Sequence, residues 1–169
     1  MQRNQKRNYS RQGLLVVFLI FFGSFIMAQD TDFSGEWILN ESESEMGEGM
    51  FRMTKAIKVV QSGNDLELAR TRTGRNGEER TSTENLTLDG EPAVTKSENR
   101  STESAVAWSE DGKSITISST STFDRQGETF EMTSTEVWSL DKKGKILTIN
   151  YSGSTPRGER KATLVYDKK

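Results

Sequence analysis

Apolar and polar side chains alternate along much of the chain after residue 30. A period of two is typical of a β-strand with one buried face, and no window of helical length after residue 30 shows a 3.6-residue period. The pattern therefore predicts an all-β domain. The four clearest alternating rows are Leu66, Leu68, Arg70 and Arg72; Ile115, Ile117, Ser119, Ser121 and Phe123; Phe130, Met132, Ser134, Glu136, Trp138 and Leu140; and Leu147, Ile149 and Tyr151.

Turn signals recur between these rows, each a glycine that often stands beside Asn or Asp. Such residues suit hairpin turns that need a positive φ. Their typical spacing of about 13 to 17 residues leaves room for one strand and one turn but not for a crossover helix, so neighbouring strands must be antiparallel. The sequence predicts a single antiparallel up-and-down meander of about 8–10 strands. The turns lie at residues 62–65, 75–77, 89–90, 111–112, 126–127, 143–144 and 157–158.

A sheet of this size must deal with its two edges, because unpaired edge strands invite pairing with other chains. Closure into a barrel removes both edges, and we expect a barrel for that reason. A two-layer sandwich is the alternative that the same alternation allows.

The first 28 residues have the properties of an export signal. A basic start, with four Lys or Arg and no acid, precedes the apolar run of residues 14–28. The run is shorter than the roughly 20 residues that span a bilayer, and it ends at Ala28 before polar Gln29 and Asp30. We predict a signal helix cleaved after Ala28, a single domain over 29–169, and export to the periplasm or the extracellular space. An uncleaved signal anchor is the alternative.

Composition narrows the function classes. The 169-residue chain has 23 basic and 25 acidic residues, and loss of the four in the signal leaves 19 against 25. This acidic balance argues against a nucleic-acid partner. The chain has no Cys and no His, which excludes Ser-His-Asp and Cys-His catalysis and typical zinc sites. We expect no metal, no cofactor and no enzymatic activity; in an enzyme, Glu136 and Tyr151 would be the acid and base.

The first strand of the domain carries a short motif, Gly35-Glu36-Trp37, within Asp32–Asn40. This segment resembles the Gly-x-Trp signature of lipocalin and calycin proteins, and the chain is similar in style to secreted bacterial lipocalin-like proteins. The resemblance implies a barrel whose Trp37 closes one end and whose interior binds a small ligand. In that family an Arg near the last strand packs on the Trp; here Arg160 opens the last predicted strand and Lys168 and Lys169 end it.

On three of the rows the side chains change from apolar to polar along the strand. If the rows face inward, the barrel is apolar at one end and polar toward the other, and Arg70 or Arg72 would pair with Glu136. We predict a ligand cavity there; the alternative is a filled core or a solvated face. The candidate cavity residues are Arg70, Arg72, Ser119, Ser121, Met132, Ser134, Glu136 and Tyr151.

Residues 41–53 form the one long segment without a strand pattern. The segment is acidic and contains Gly47 and Gly49. Its apolar side chains are Met46, Met50, Phe51 and Met53. In a lipocalin-like barrel this loop lies over the mouth, where Met and Phe would contact an apolar ligand. The alternative is a solvated loop.

Two functions follow from this reading. The first is a non-enzymatic binding protein for a small hydrophobic or amphipathic ligand. The alternative is a secreted protein-interaction or inhibitor-type barrel that acts through its loop tips. The sequence names neither the ligand nor the oligomeric state.

Overall fold

The structure is a computed structural model that describes residues 31–47, 54–74, 76–125, 127–156 and 158–169. No helix occurs in these ranges, which confirms the all-β prediction. The predicted signal, residues 1–28, lies outside them, so its cleavage stays a prediction. The strands are β1 Gly35–Leu39, β2 Glu45–Met46, β3 Thr54–Ser62, β4 Asp65–Thr73, β5 Glu79–Thr87, β6 Ala93–Ser97, β7 Arg100–Trp108, β8 Ser114–Arg125, β9 Glu128–Leu140, β10 Ile146–Thr155 and β11 Gly158–Lys168.

All eleven strands belong to one antiparallel sheet, in the order β5-β4-β3-β1-β11-β10-β9-β8-β7-β6, with β2 beside β11. Because β1 pairs with both β3 and β11, the first and last strands of the meander are neighbours. The two ends of the path, β5 and β6, lie side by side without a backbone ladder between the described residues. The fold is therefore a nearly closed up-and-down barrel, as the sequence predicts, and not a sandwich.

The predicted turns are confirmed at their glycines. The glycine of each of the seven turns has a φ between 58° and 113°, a region that side chains with a Cβ rarely occupy. The β6–β7 turn at Glu98 and Asn99 contains no glycine, and the sequence pattern did not reveal it.

An apolar core fills one half of the barrel, which we call the closed end. It contains two of the three tryptophans, Trp37 and Trp138, both without solvent exposure. The other buried apolar side chains, which come from most of the strands, are Phe33, Ile57, Val59, Leu66, Leu68, Leu86, Leu88, Val106, Ile115, Ile117, Leu147, Ile149, Ala162, Leu164 and Tyr166.

The segment before β1 seals the closed end. The Phe33 ring packs between Trp108 and Trp138, with centroid distances of 6.1 and 6.3 Å. Its backbone carbonyl accepts a hydrogen bond from Trp37 Nε1 at 2.9 Å, and its amide donates to Gln61 Oε1 at 3.1 Å. Because both buried polar groups are satisfied, the plug costs little desolvation. The Phe33 plug therefore closes this end of the barrel.

The segment 41–53 differs from the sequence prediction, because it contains a strand. The two residues of β2 pair with Ala162 and Thr163 of β11, just beyond the point where β1 ends. A Cβ at Gly47 would collide with the backbone carbonyl of Lys161. This glycine therefore permits a close approach of two backbones. Residues 48–53 lie outside the described residues, so a lid formed by Met50, Phe51 and Met53 stays a prediction.

No helix in the part of the chain that the structure describes is long and apolar enough to cross a membrane.

Candidate functional site

A buried ion pair divides the closed end from the rest of the interior. Arg70 on β4 and Glu136 on β9 form two parallel hydrogen bonds of 3.1 and 2.9 Å across the barrel. Trp138 Nε1 donates to the same carboxylate at 2.9 Å, and the guanidinium of Arg70 lies 5.4 Å from the Trp138 ring centroid. The side chains are only 10% and 18% exposed. The ion pair expected from the sequence is thus present, and Arg70 is its cationic partner.

The protonation of this pair follows from its contacts. Burial alone would raise the pKa of Glu136, but the charge of Arg70 and the hydrogen bonds from Arg70 and Trp138 hold it below its usual range. Burial acts to lower the pKa of Arg70, and the charge and hydrogen bonds of Glu136 outweigh it, so the pKa is raised. Both groups are therefore charged at neutral pH.

A second polar layer joins β5, β7 and β8 beside this pair. Ser104 donates to Glu84 Oε1 at 2.7 Å, across the unpaired gap between β5 and β7. The Ser104 and Ser119 hydroxyl oxygens are 2.9 Å apart. Because the Ser104 proton goes to Glu84, Ser119 must be the donor of that second bond. These bonds satisfy the buried Ser104 hydroxyl and hold the two ends of the sheet together.

The next layer toward the open end centres on Ser121. This side chain is buried, and its hydroxyl accepts a hydrogen bond from Arg100 Nη2 at 2.8 Å. Thr102 lies 2.9 Å from the same hydroxyl and 3.3 Å from Arg100 Nε. The contacts hold Arg100 along the wall of β7 and β8 near the mouth.

A β-bulge in β3 turns the Thr54 hydroxyl toward the interior, on the wall formed by β3 and β4. The register between β3 and β4 shifts between Thr54 and Ala56, so Thr54 joins Ile57 and Val59 in being buried. Thr54 Oγ1 accepts a hydrogen bond from Arg72 Nε at 3.1 Å, and its backbone carbonyl accepts from the Tyr166 hydroxyl at 3.0 Å. This hydrogen bond holds the guanidinium of Arg72 at the mouth.

Apolar side chains continue the interior of the open half. Met132 and Phe130 are half-buried on the same face of β9 as Glu136, and Phe130 stacks on Phe123 of β8 at a centroid distance of 5.5 Å. Tyr151 on β10 is half-buried as well, and its hydroxyl lies over Gly153, where a Cβ would collide with it. Soft and aromatic surfaces thus lie beside the polar layers, a mixture typical of ligand pockets.

A cleft of about 440 Å³ opens at the mouth beside the β4–β5 hairpin. Its lining includes the side chains of Arg72, Glu78 and Arg80. Arg72 and Arg80 are direct partners in the β4–β5 register and share a face with buried Leu66 and Leu86. The volume falls within the range of roughly 300–1,000 Å³ found for ligand pockets.

The candidate cavity residues share the interior face of their strands. Arg70, Ser121, Ser119 and Glu136 take part in the hydrogen-bonded layers, whereas Arg72 is exposed at the mouth. Their role in binding a ligand stays a prediction. The other candidates, which carry half-buried side chains in the open half, are Met132, Ser134 and Tyr151.

Four residues on the interior face were not predicted from the sequence. They lie on β5 and β7, where each strand has few buried apolar residues to mark the inner face. Counting back in steps of two from Leu86 and from Val106 would have found them. These residues are Arg80, Glu84, Arg100 and Ser104.

The Gly-x-Trp motif lies at the closed end, far from the polar layers. Lys168 Nζ lies 5.0 Å from the centroid of the Trp37 ring, so a lysine of the last strand occupies the position expected for the family's arginine. A Cβ at Gly35 would meet the Lys168 side chain, and the φ of Gly35 is +147°. The motif therefore has a packing role in this protein, consistent with Trp37 closing one end.

Within the described residues no group of three or more Asp, Glu, His or Cys side chains could hold a metal ion. The arrangement does provide an amphipathic interior with fixed hydrogen-bonding groups.

No protein-family model and no curated protein sequence matches this chain. Among solved structures, it is similar to the zebrafish ileal bile acid-binding protein, crystallised in complex with cholic acid. The two share 15% sequence identity, the match covers 81% of this chain and 98% of that one, and the TM-score is 0.52. At this identity the likeness shows the fold alone. The two proteins thus share a β-barrel fold.

Proposed function

We propose that this protein is an exported, non-enzymatic binding protein that takes a small hydrophobic or amphipathic ligand into the open half of its barrel. One observation carries the proposal: the core fills only the closed end, while Met132, Phe130 and Tyr151 stay half-buried beside a polar lining. Apolar walls with a few fixed polar groups are the usual make-up of a small-molecule site.

Three further observations support it. The similar zebrafish barrel binds a bile acid, which is a small amphipathic molecule. The basic start and apolar run of residues 1–28 favour export. The chain also lacks the His and Cys side chains on which most general-base and nucleophilic catalysis depends.

The test is a fluorescence titration of the purified protein with the neutral apolar probe N-phenyl-1-naphthylamine. We expect the probe to brighten on binding and the signal to saturate. Ser134→Trp places an indole inside the open half, since residue 134 shares a face with Glu136, and it should abolish the signal by filling the space.

The matched control is Thr135→Trp, which puts the same indole on the outer face one residue away, because successive strand residues point to opposite faces. It should bind the probe like the unchanged protein. Absence of probe binding in the folded unchanged protein, or equal binding in both tryptophan variants, would contradict the proposed interior site.

A further inference from the structure

Three arginines reach the mouth of the barrel from three strands. Arg72 on β4 and Arg80 on β5 are direct cross-strand partners on the interior face. Like charges in that position repel each other. Arg100 lies at the start of β7, at the same end of the barrel. Burial, together with the charges of Arg70 and Arg100, lowers the pKa of Arg72. The mouth therefore concentrates positive charge in a protein whose described domain is acidic overall.

The nearby carboxylates neutralise only part of this charge. The charge of Glu136 acts to raise the pKa of Arg72, but burial and the charges of Arg70 and Arg100 outweigh it. Glu136 is held by Arg70 and Trp138, and Glu84 accepts from Ser104. Glu78 lies 3.8 Å from Arg80, but the two side chains are 66% and 79% exposed, so this pair contributes little. Among the described residues, no carboxylate comes within ion-pair distance of Arg72 or Arg100.

The geometry suits an external anion. Arg72 donates through Nε to Thr54, which holds the guanidinium at the rim of the 440 Å³ cleft that it shares with Arg80. A guanidinium offers a planar fork of donors that matches a carboxylate or sulfonate group. An anion between the two arginines would also remove their mutual repulsion.

We propose that Arg72 and Arg80 bind the anionic head group of an amphipathic ligand whose apolar part lies inside against Met132 and Phe130. This inference rests on the proposed function and adds to it the charge of the ligand and the residues that select it.

The test compares decanoate, decanesulfonate and uncharged decanol as competitors of bound N-phenyl-1-naphthylamine, all below their micellar concentrations. A charge-assisted hydrogen bond contributes enough for a change of about tenfold in affinity. We expect the two anions to compete about tenfold better than decanol, and Arg72→Gln or Arg80→Gln to remove most of that preference without weakening decanol.

The matched control is Lys58→Gln, which removes one positive charge from the outer face of β3, where the side chain is exposed between buried Ile57 and Val59. It should keep the preference for anions. Thermal unfolding of each variant confirms that the barrel is intact; because Arg72 and Arg80 are exposed, their loss should leave it so.

Equal competition by decanol and the anions in the unchanged protein would overturn the head-group site while leaving the proposed binding function standing. The same holds if Lys58→Gln lowers the preference as much as Arg72→Gln does. If the neutral probe does not bind at all, the proposed function fails, and the inference fails with it.

Discussion

The Arg70–Glu136 pair is the side-chain contact on which the interior most depends. Two desolvated charges are stable only when geometry and additional hydrogen bonds compensate for the lost hydration. Here the paired hydrogen bonds and the third donor, Trp138 Nε1, provide that compensation. The pair also marks the boundary between the filled and the open half of the barrel.

Replacing one partner of the pair should therefore destabilise the fold much more than replacing both. We expect Glu136→Gln to lower the free energy of unfolding by about 3 kcal/mol, because it leaves the Arg70 charge buried without a counter-ion. The double variant Arg70→Met with Glu136→Leu replaces the pair by apolar side chains and should lose distinctly less, with Trp138 Nε1 left unpaired as its main defect. Urea unfolding of the three proteins measures this. A double variant less stable than the single one would contradict it.

The same pair should make stability depend on pH. Because folding lowers the pKa of Glu136, its contribution is complete above the ordinary glutamate pKa of about 4.3 and is lost as the pH falls through the lower folded value. We expect the free energy of unfolding to fall between about pH 5 and pH 3, and to fall less steeply in the double variant. Urea unfolding across this range is the measurement, and parallel curves for the two proteins would exclude this role.

At the scale of the strands, the barrel is held together least firmly between β5 and β6, the two ends of the sheet. No ladder joins these two strands in the described ranges, and both expose mostly polar side chains. The bond from Ser104 to Glu84 crosses this gap from β7 at 2.7 Å. Closure here rests on individual bonds.

Removing the crossing bond should loosen the gap locally. A hydrogen bond to a charged group contributes about 1.5 kcal/mol, so we expect Glu84→Ala to speed amide hydrogen exchange in β5–β7 while β9–β11 stay protected. Glu103→Ala is the control, because it removes an exposed glutamate from the outer face of β7, next to Ser104. Equal exchange in the two variants would show that the bond does not hold the gap.

At the scale of the whole molecule, the two ends of the barrel differ in what they contain. The closed end holds Trp37, Trp138 and the Phe33 plug, together with the turns whose glycines are Gly63, Gly112 and Gly144. The open end holds the turns at Gly77, Gly127 and Gly158. The ligand proposal depends on this difference, because it requires one end to be a packed base and the other to admit the ligand.

The charge distribution follows the same division. The residues after the predicted signal have an acidic balance, yet Arg72, Arg80 and Arg100 gather at the mouth. Clustered guanidinium groups of this kind attract small anions. This arrangement is what gives the head-group proposal its selectivity.

The sequence by itself determined most of the elements of this fold. Strand periodicity and turn glycines depend on neighbours along the chain, so the alternation at Ile115–Phe123 and the turn at Gly112 could be recognised without any tertiary contact. Parity along β4 and β9 also placed Arg70 and Glu136 on one face, and opposite charges on a shared buried face favour pairing.

Only the tertiary structure decided which side chains of distant strands meet and which half of the interior is filled. The β3 bulge at Thr54, the contact of Lys168 with Trp37 and the bond between Ser104 and Glu84 join residues distant in sequence. Nothing local marks such partners, since each depends on how the sheet curves and closes. The convergence of Arg72 and Arg80 at one cleft likewise follows from the β4–β5 register, which fixes the interior charge that any ligand would meet.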